Sequence, residues 1–102
     1  MRSEDLLAQV EFLPDRPRTK LLHDTENLRL VLFCLKAGQE VAPHTSSSEV
    51  ILLGLSGSGR FTTGNGEAPL SAGSIGLCQP NQPHGFRAET DLVVLATIAP
   101  RP

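Results

Sequence analysis

Glycine and proline set the first limit on what this chain folds into. They recur roughly every 8 to 12 residues, and the pieces between them are short and rich in Leu, Val, Ile, Phe and Thr, the pattern of an all-β sandwich or barrel. The spacing predicts strands over Val10–Leu13, Arg18–Asp24, Leu28–Leu35, Gln39–His44, Val50–Leu55, Gly59–Thr63, Ala68–Leu70, Ser74–Cys78, His84–Glu89 and Leu92–Ile98. "SGSG" at Ser56–Gly59 and "GNG" at 64–66 supply the positive-φ positions that tight hairpins need. Only "SEDLLAQV" has helical character, with Ser3 as its cap and acidic residues in the first turn. One or two helical turns are marginal alone, so residues 1–17 are expected as a short helix or as an exchanged edge strand. A chain of 102 residues fits one domain, 1–102, that buries a real core.

Three of the expected strands, "LRLVLFCL", "VILLGL" and "LVVLATIA", are apolar on both faces. A strand with one wet face would alternate, so each of these needs cover on two sides. One side is the core. For the other, a homodimer packing sheet on sheet or exchanging the N-terminal strand is the expected cover, with loops and the N-terminal segment of the same chain as the alternative.

Other classes are disfavoured. The net charge is −2 and the nine basic residues are scattered, so no stripe could follow a phosphate backbone and nucleic acid is not expected as a partner. No window reaches the length of an apolar membrane span, and Glu4 and Asp5 stand where a secretory signal would be apolar. The expectation is a cytoplasmic protein with no membrane partner. Cys34 and Cys78 lie inside apolar runs and read as small buried hydrophobes rather than as a disulfide or a catalytic thiol.

Two stretches carry a family likeness. In the first, Gly38, five residues and His44 are followed at a distance by Gly57; in the second, "GSIGLCQPNQPH" sets Gly73, Pro80, Pro83 and His84 along a strand and a proline-rich turn. Over residues 28–98 or so the chain resembles the cupin superfamily, here a small RmlC-like single-domain member. The likeness implies a double-stranded β-helix, that is, a jelly-roll barrel. Asn81 stands where the family's turn glycine usually does, a mild exchange because Asn tolerates the left-handed region.

The resemblance also implies what the barrel would hold. Cupin metal sites take two histidines and a glutamate from the first motif and one histidine from the second. His44 and His84 match the outer two positions, and Ser46 replaces the second histidine; a neutral hydroxyl is a poor ligand for a transition ion. Counting back from Gly57 puts Val50 in the glutamate position and Glu49 one residue early. Because strand side chains alternate, Glu49 then faces away from the barrel axis. Alternatively, a bulge in "LSGSG" absorbs the extra residue and turns Glu49 inward. The metal ligands, if any, are His44, His84 and Glu49, holding a divalent ion weakly.

His44, His84 and Ser46 are therefore the expected ligand-binding residues, and no catalytic residue is assigned. Other candidates have plainer readings. Thr45, Ser47 and Ser48 read as a loop bonding its own backbone, Gln79 and Gln82 as surface, His23 as a strand-end histidine, and Phe33, Phe61 and Phe86 as core. Arg29, Arg60 and Arg87 are possible anion clamps, of which only those pointing inward count. The expected function is small-molecule binding inside the barrel. The alternatives are a metal-dependent dioxygenase, isomerase or decarboxylase, and a structural or regulatory dimer whose barrel is filled by side chains.

Overall fold

The computed structural model describes residues 1–63 and 65–102. Among these residues, nine strands follow one short 3-10 turn: β1 Arg18–Asp24, β2 Arg29–Leu35, β3 Glu40–His44, β4 Glu49–Ser56, β5 Ser58–Thr63, β6 Gly66–Ser71, β7 Ile75–Cys78, β8 His84–Ala88 and β9 Leu92–Ala99. They form a five-stranded sheet in the order β1-β2-β9-β4-β7 and a four-stranded sheet in the order β3-β8-β5-β6. Every strand pair is antiparallel. The architecture is all-β, as the spacing of glycine, proline and apolar runs predicted, and it takes the jelly-roll form that the resemblance implied.

Alternation decides which residues fill the space between the sheets. Phe33 and Leu35 on β2, Val50 and Leu52 on β4, and Leu92, Val94 and Ala96 on β9 meet Phe61 of β5 and Phe86 and Ala88 of β8 in one core. The opposite face of the five-stranded sheet carries a second cluster of Leu32, Cys34 and Val93. That explains the apolar character of β2 and β9 on both faces. Both cysteines are buried and free.

The second cluster is covered by the chain's own N-terminal segment, through Val10 and Phe12, together with Leu22 and Leu55. This corrects one expectation and narrows another. Val10–Leu13 is not a strand, and the only helical part of residues 1–17 is the 3-10 turn Leu7–Gln9. The segment drapes over its own sheet, pinned where Arg18 donates to Gln9 O at 2.9 Å and Gln39 Nε2 donates to Leu13 O at 2.9 Å. Its alternating Val10 and Phe12 thus find an apolar surface without joining a ladder.

Turn chemistry also agrees in part. Gly57 has φ +82°, and a Cβ there would run into the backbone carbonyl of Asp91, so both its conformation and its crowding exclude a side chain. Asn81 has φ +65°, the left-handed position its place in the turn required. Of the "GNG" hairpin, Gly64 lies outside the described residues. Among those described, no helix is long and apolar enough to cross a membrane.

Candidate functional site

The site lies at the end of the barrel where β3 finishes and β8 begins. His44 and His84 are direct partners across that ladder, yet their pairing needs an irregularity. Val41 pairs with Phe86 and His44 with His84, so three steps along β3 match two along β8. Without correction, His44 would face the opposite side from Val41. The extra residue at Ala42–Pro43 is a bulge that restores parity and turns His44 to the side of Val41, Phe86 and His84. Proline suits it because its nitrogen has no hydrogen to give the ladder. Gly85 lets the bulge approach, since a Cβ there would stand 2.6 Å from Val41 O and 2.7 Å from Pro43 N.

The two imidazoles stand with ring centroids 4.4 Å apart, tilted by 60°. Each Nδ1 faces a carbonyl two residues back: His44 to Ala42 O at 3.2 Å and His84 to Gln82 O at 3.0 Å. A carbonyl oxygen only accepts, so each Nδ1 carries the proton. In the neutral ring this leaves Nε2 with its lone pair. Among the described residues no protein group hydrogen-bonds to either Nε2.

Both rings border a cavity of about 370 Å³, within the range of small-molecule sites. Its wall is mainly apolar, with Phe33, Val50, Leu52, Phe86, Ala96 and Ile98 from the two sheets. The polar groups are His44, His84, Thr45, Ser46, Ser47 and Arg29, and Pro102 of the C-terminal tail also borders the space. Ser46 Oγ accepts from Ser48 N at 3.0 Å and Ser46 O accepts from Asn81 N at 2.7 Å, which ties the loop after β3 to the turn before β8. Ser48 is buried, and its hydroxyl donates to Pro100 O.

Glu49 is not part of this group. Along β4 the burial alternates, with Glu49 and Ile51 exposed and Val50 and Leu52 buried. Glu49 shares a separate surface hollow with Ile51, Leu77, Gln79 and Gln82. A register shift does occur between Gly54 and Ser56 of β4, at the start of "LSGSG", but Val50 keeps the inward position. No group of three or more His, Cys, Asp or Glu side chains able to hold a metal exists among the described residues. The structure therefore brings His44, His84 and Ser46 together and leaves out Glu49. Two imidazoles without a carboxylate do not fit the 2-His-1-carboxylate set that oxygen-activating iron requires.

Of the three candidate arginines only Arg29 borders the cavity; Arg60 and Arg87 pair with Glu67, at 3.7 and 3.3 Å. Arg29 Nε is buried and makes no hydrogen bond, with Asp24 Oδ1 3.5 Å away. Asp24 is mainly engaged elsewhere, accepting from Arg101 Nε at 2.6 Å and from Arg101 Nη2 at 3.2 Å. The hydrogen bond from Arg101 is the chief reason the Asp24 carboxyl sits below its usual range. Parity could have singled out Arg29 in advance: it stands two and four residues before Val31 and Phe33, so a core-facing Phe33 implies an inward Arg29. The C-terminal tail gave no comparable signal.

A jelly-roll barrel with a histidine-lined end pocket defines a class, and comparison with known proteins gives its family. The cupin domain family model matches residues 31–98. The chain belongs to the cupin domain family. It is similar over 98% of its length, at 39% identity and a TM-score of 0.92, to an RmlC-like cupin protein from Desulfovibrio desulfuricans, covering 97% of that chain. A Thermus thermophilus protein matches over the full length of both chains at 27% identity and a TM-score of 0.94. A predicted oxalate decarboxylase from Thermotoga maritima, at 22% identity, shares 79% of this chain and 77% of its own with a TM-score of 0.74, a likeness of fold. None of the curated proteins matches the chain.

Proposed function

We propose that this protein binds a small organic molecule in the end of its barrel, with His44 and His84 as the polar grip. The observation that carries this reading is the pair of imidazoles beside an apolar cavity, each Nδ1 committed to a backbone carbonyl and each Nε2 left for a guest. Ser46 is a further donor at the rim. The open cavity speaks against a barrel filled by its own side chains. A metal-dependent reaction would need a third protein ligand, and Glu49 does not face the pair.

The test is a thermal-shift screen with small organic acids, sugars and phenols. A ligand at a hundred times its dissociation constant adds about 2.7 kcal/mol to stability. Hits should raise the melting temperature of the wild type and lose that effect in His44→Ala and His84→Ala. No hit across the panel, or hits that both variants retain, would refute the reading. Metal analysis of protein purified without added metal should give substoichiometric occupancy; a full equivalent held by three or more side chains would restore the enzymatic alternative.

We infer further that a second copy of the chain covers what the N-terminal segment leaves bare. Ile51 of β4 and Ile75 and Leu77 of β7 are 37, 60 and 65% exposed. They lie on one face, since Ile51 pairs with Leu77 and Leu53 with Ile75. Such a strip suits a twofold sheet-on-sheet contact.

A further inference from the structure

The proposed pocket has a charge pattern as well as a shape. Among the described residues no Asp or Glu side chain borders it, and Arg29 is the one side chain there with a fixed charge. Asp24 offsets that charge only in part. Arg29 and Arg101 share a single acidic partner, Asp24, which lies closer to Arg101, at 2.6 Å against 3.5 Å. The three side chains together carry one net positive charge, and Arg29 Nε faces Asp24 Oδ1 at 3.5 Å without a hydrogen bond to it.

Position adds a direction. Arg29 opens β2 and pairs with Ile98 of β9 in the five-stranded sheet, while His44 and His84 belong to the four-stranded sheet. The cation and the imidazole pair thus reach the cavity from opposite walls, with Phe33, Val50 and Phe86 among the apolar groups around it. We infer that the ligand is a small carboxylic acid with an apolar body. Its carboxylate lies on Arg29, and a hydrogen-bond donor on its far side meets the Nε2 lone pairs of His44 and His84. A planar fork matches a carboxylate in two parallel bonds. One partly compensated guanidinium in an apolar space suits a monoanion better than a phosphate ester, whose second charge would be desolvated without a partner.

This inference rests on the pocket being a binding site, and the experiment separates the two. Isothermal titration would compare benzoate, phenylacetate and 4-hydroxyphenylacetate with their uncharged carboxamides, and with inorganic phosphate. The acids should bind wild type roughly ten- to a hundredfold more tightly than the amides, as charge-assisted hydrogen bonds imply. 4-Hydroxyphenylacetate, which has a donor opposite its carboxylate, should bind most tightly. Arg29→Gln should erase the preference for acid while the amides bind as before, and Arg29→Lys should keep part of it. If Arg29→Gln fails to fold, Arg101→Ala serves instead: it leaves Asp24 to Arg29 alone and should weaken the acids selectively. Equal binding of acids and amides would overturn the assignment and leave the pocket reading intact. Tighter binding of phosphate would overturn it too. No binding of any probe, combined with a blank thermal-shift screen, would remove both.

Discussion

Asp24 has two cations within reach, and its behaviour with pH is a residue-scale property. The carboxyl is lowered from its ordinary value of 3.8, chiefly by the hydrogen bond from Arg101; desolvation opposes this, and the charges of Arg101 and Arg29 add smaller contributions. A carboxyl lowered on folding favours the folded state at pH above its unfolded value. That contribution is lost as pH falls through the lower folded value. Urea midpoints measured at pH 5 and pH 2.5 should therefore drop less in Asp24→Asn than in wild type; equal drops would show that the contact with Arg101 has no thermodynamic weight. Cys78 differs, since burial alone pushes its thiol up to about 11. That fits the sequence reading of a small inert hydrophobe rather than a nucleophile.

Among the elements, β3 and β8 determine whether the histidines meet. Gly85→Ala would put a methyl group against Val41 O and Pro43 N. Because those are backbone atoms, β3 must move off β8. The expected result is a loss of about 2 kcal/mol in denaturant unfolding, in the range of overpacked sites, together with a weaker ligand-induced thermal shift. Unchanged values in both would mean the close approach is not what holds the pair. This strand also shows where sequence reading stops. The positions of His44 and His84 followed from the motif, and Val50 as the inward residue followed from counting back from Gly57. The bulge at Ala42–Pro43 did not follow, because an extra residue in a ladder is absorbed silently and proline is its only local sign. Val10–Leu13 misled for the opposite reason: alternating apolar residues signal one dry face, and a draped segment satisfies that as well as a paired strand does.

On the scale of the whole molecule, apolar runs showed that a second cover existed but not whose it was. The N-terminal segment supplies it over Leu32, Cys34 and Val93, and the strip of Ile51, Ile75 and Leu77 remains. If a second copy covers that strip, light scattering should give a dimer at micromolar concentration, and Leu77→Glu should give a folded monomer. A wild-type monomer under those conditions would end the dimer proposal.

The ladder that joins His44 to His84 has one more consequence. Two residues on one rung of a β pair cannot drift apart independently, whereas Arg29 reaches the cavity on a long side chain with several rotatable bonds. The grip on a guest is thus stiff on one wall and telescopic on the other. Lengthening an acid by a methylene along the line from ladder to guanidinium should be tolerated, and branching beside the rings should not.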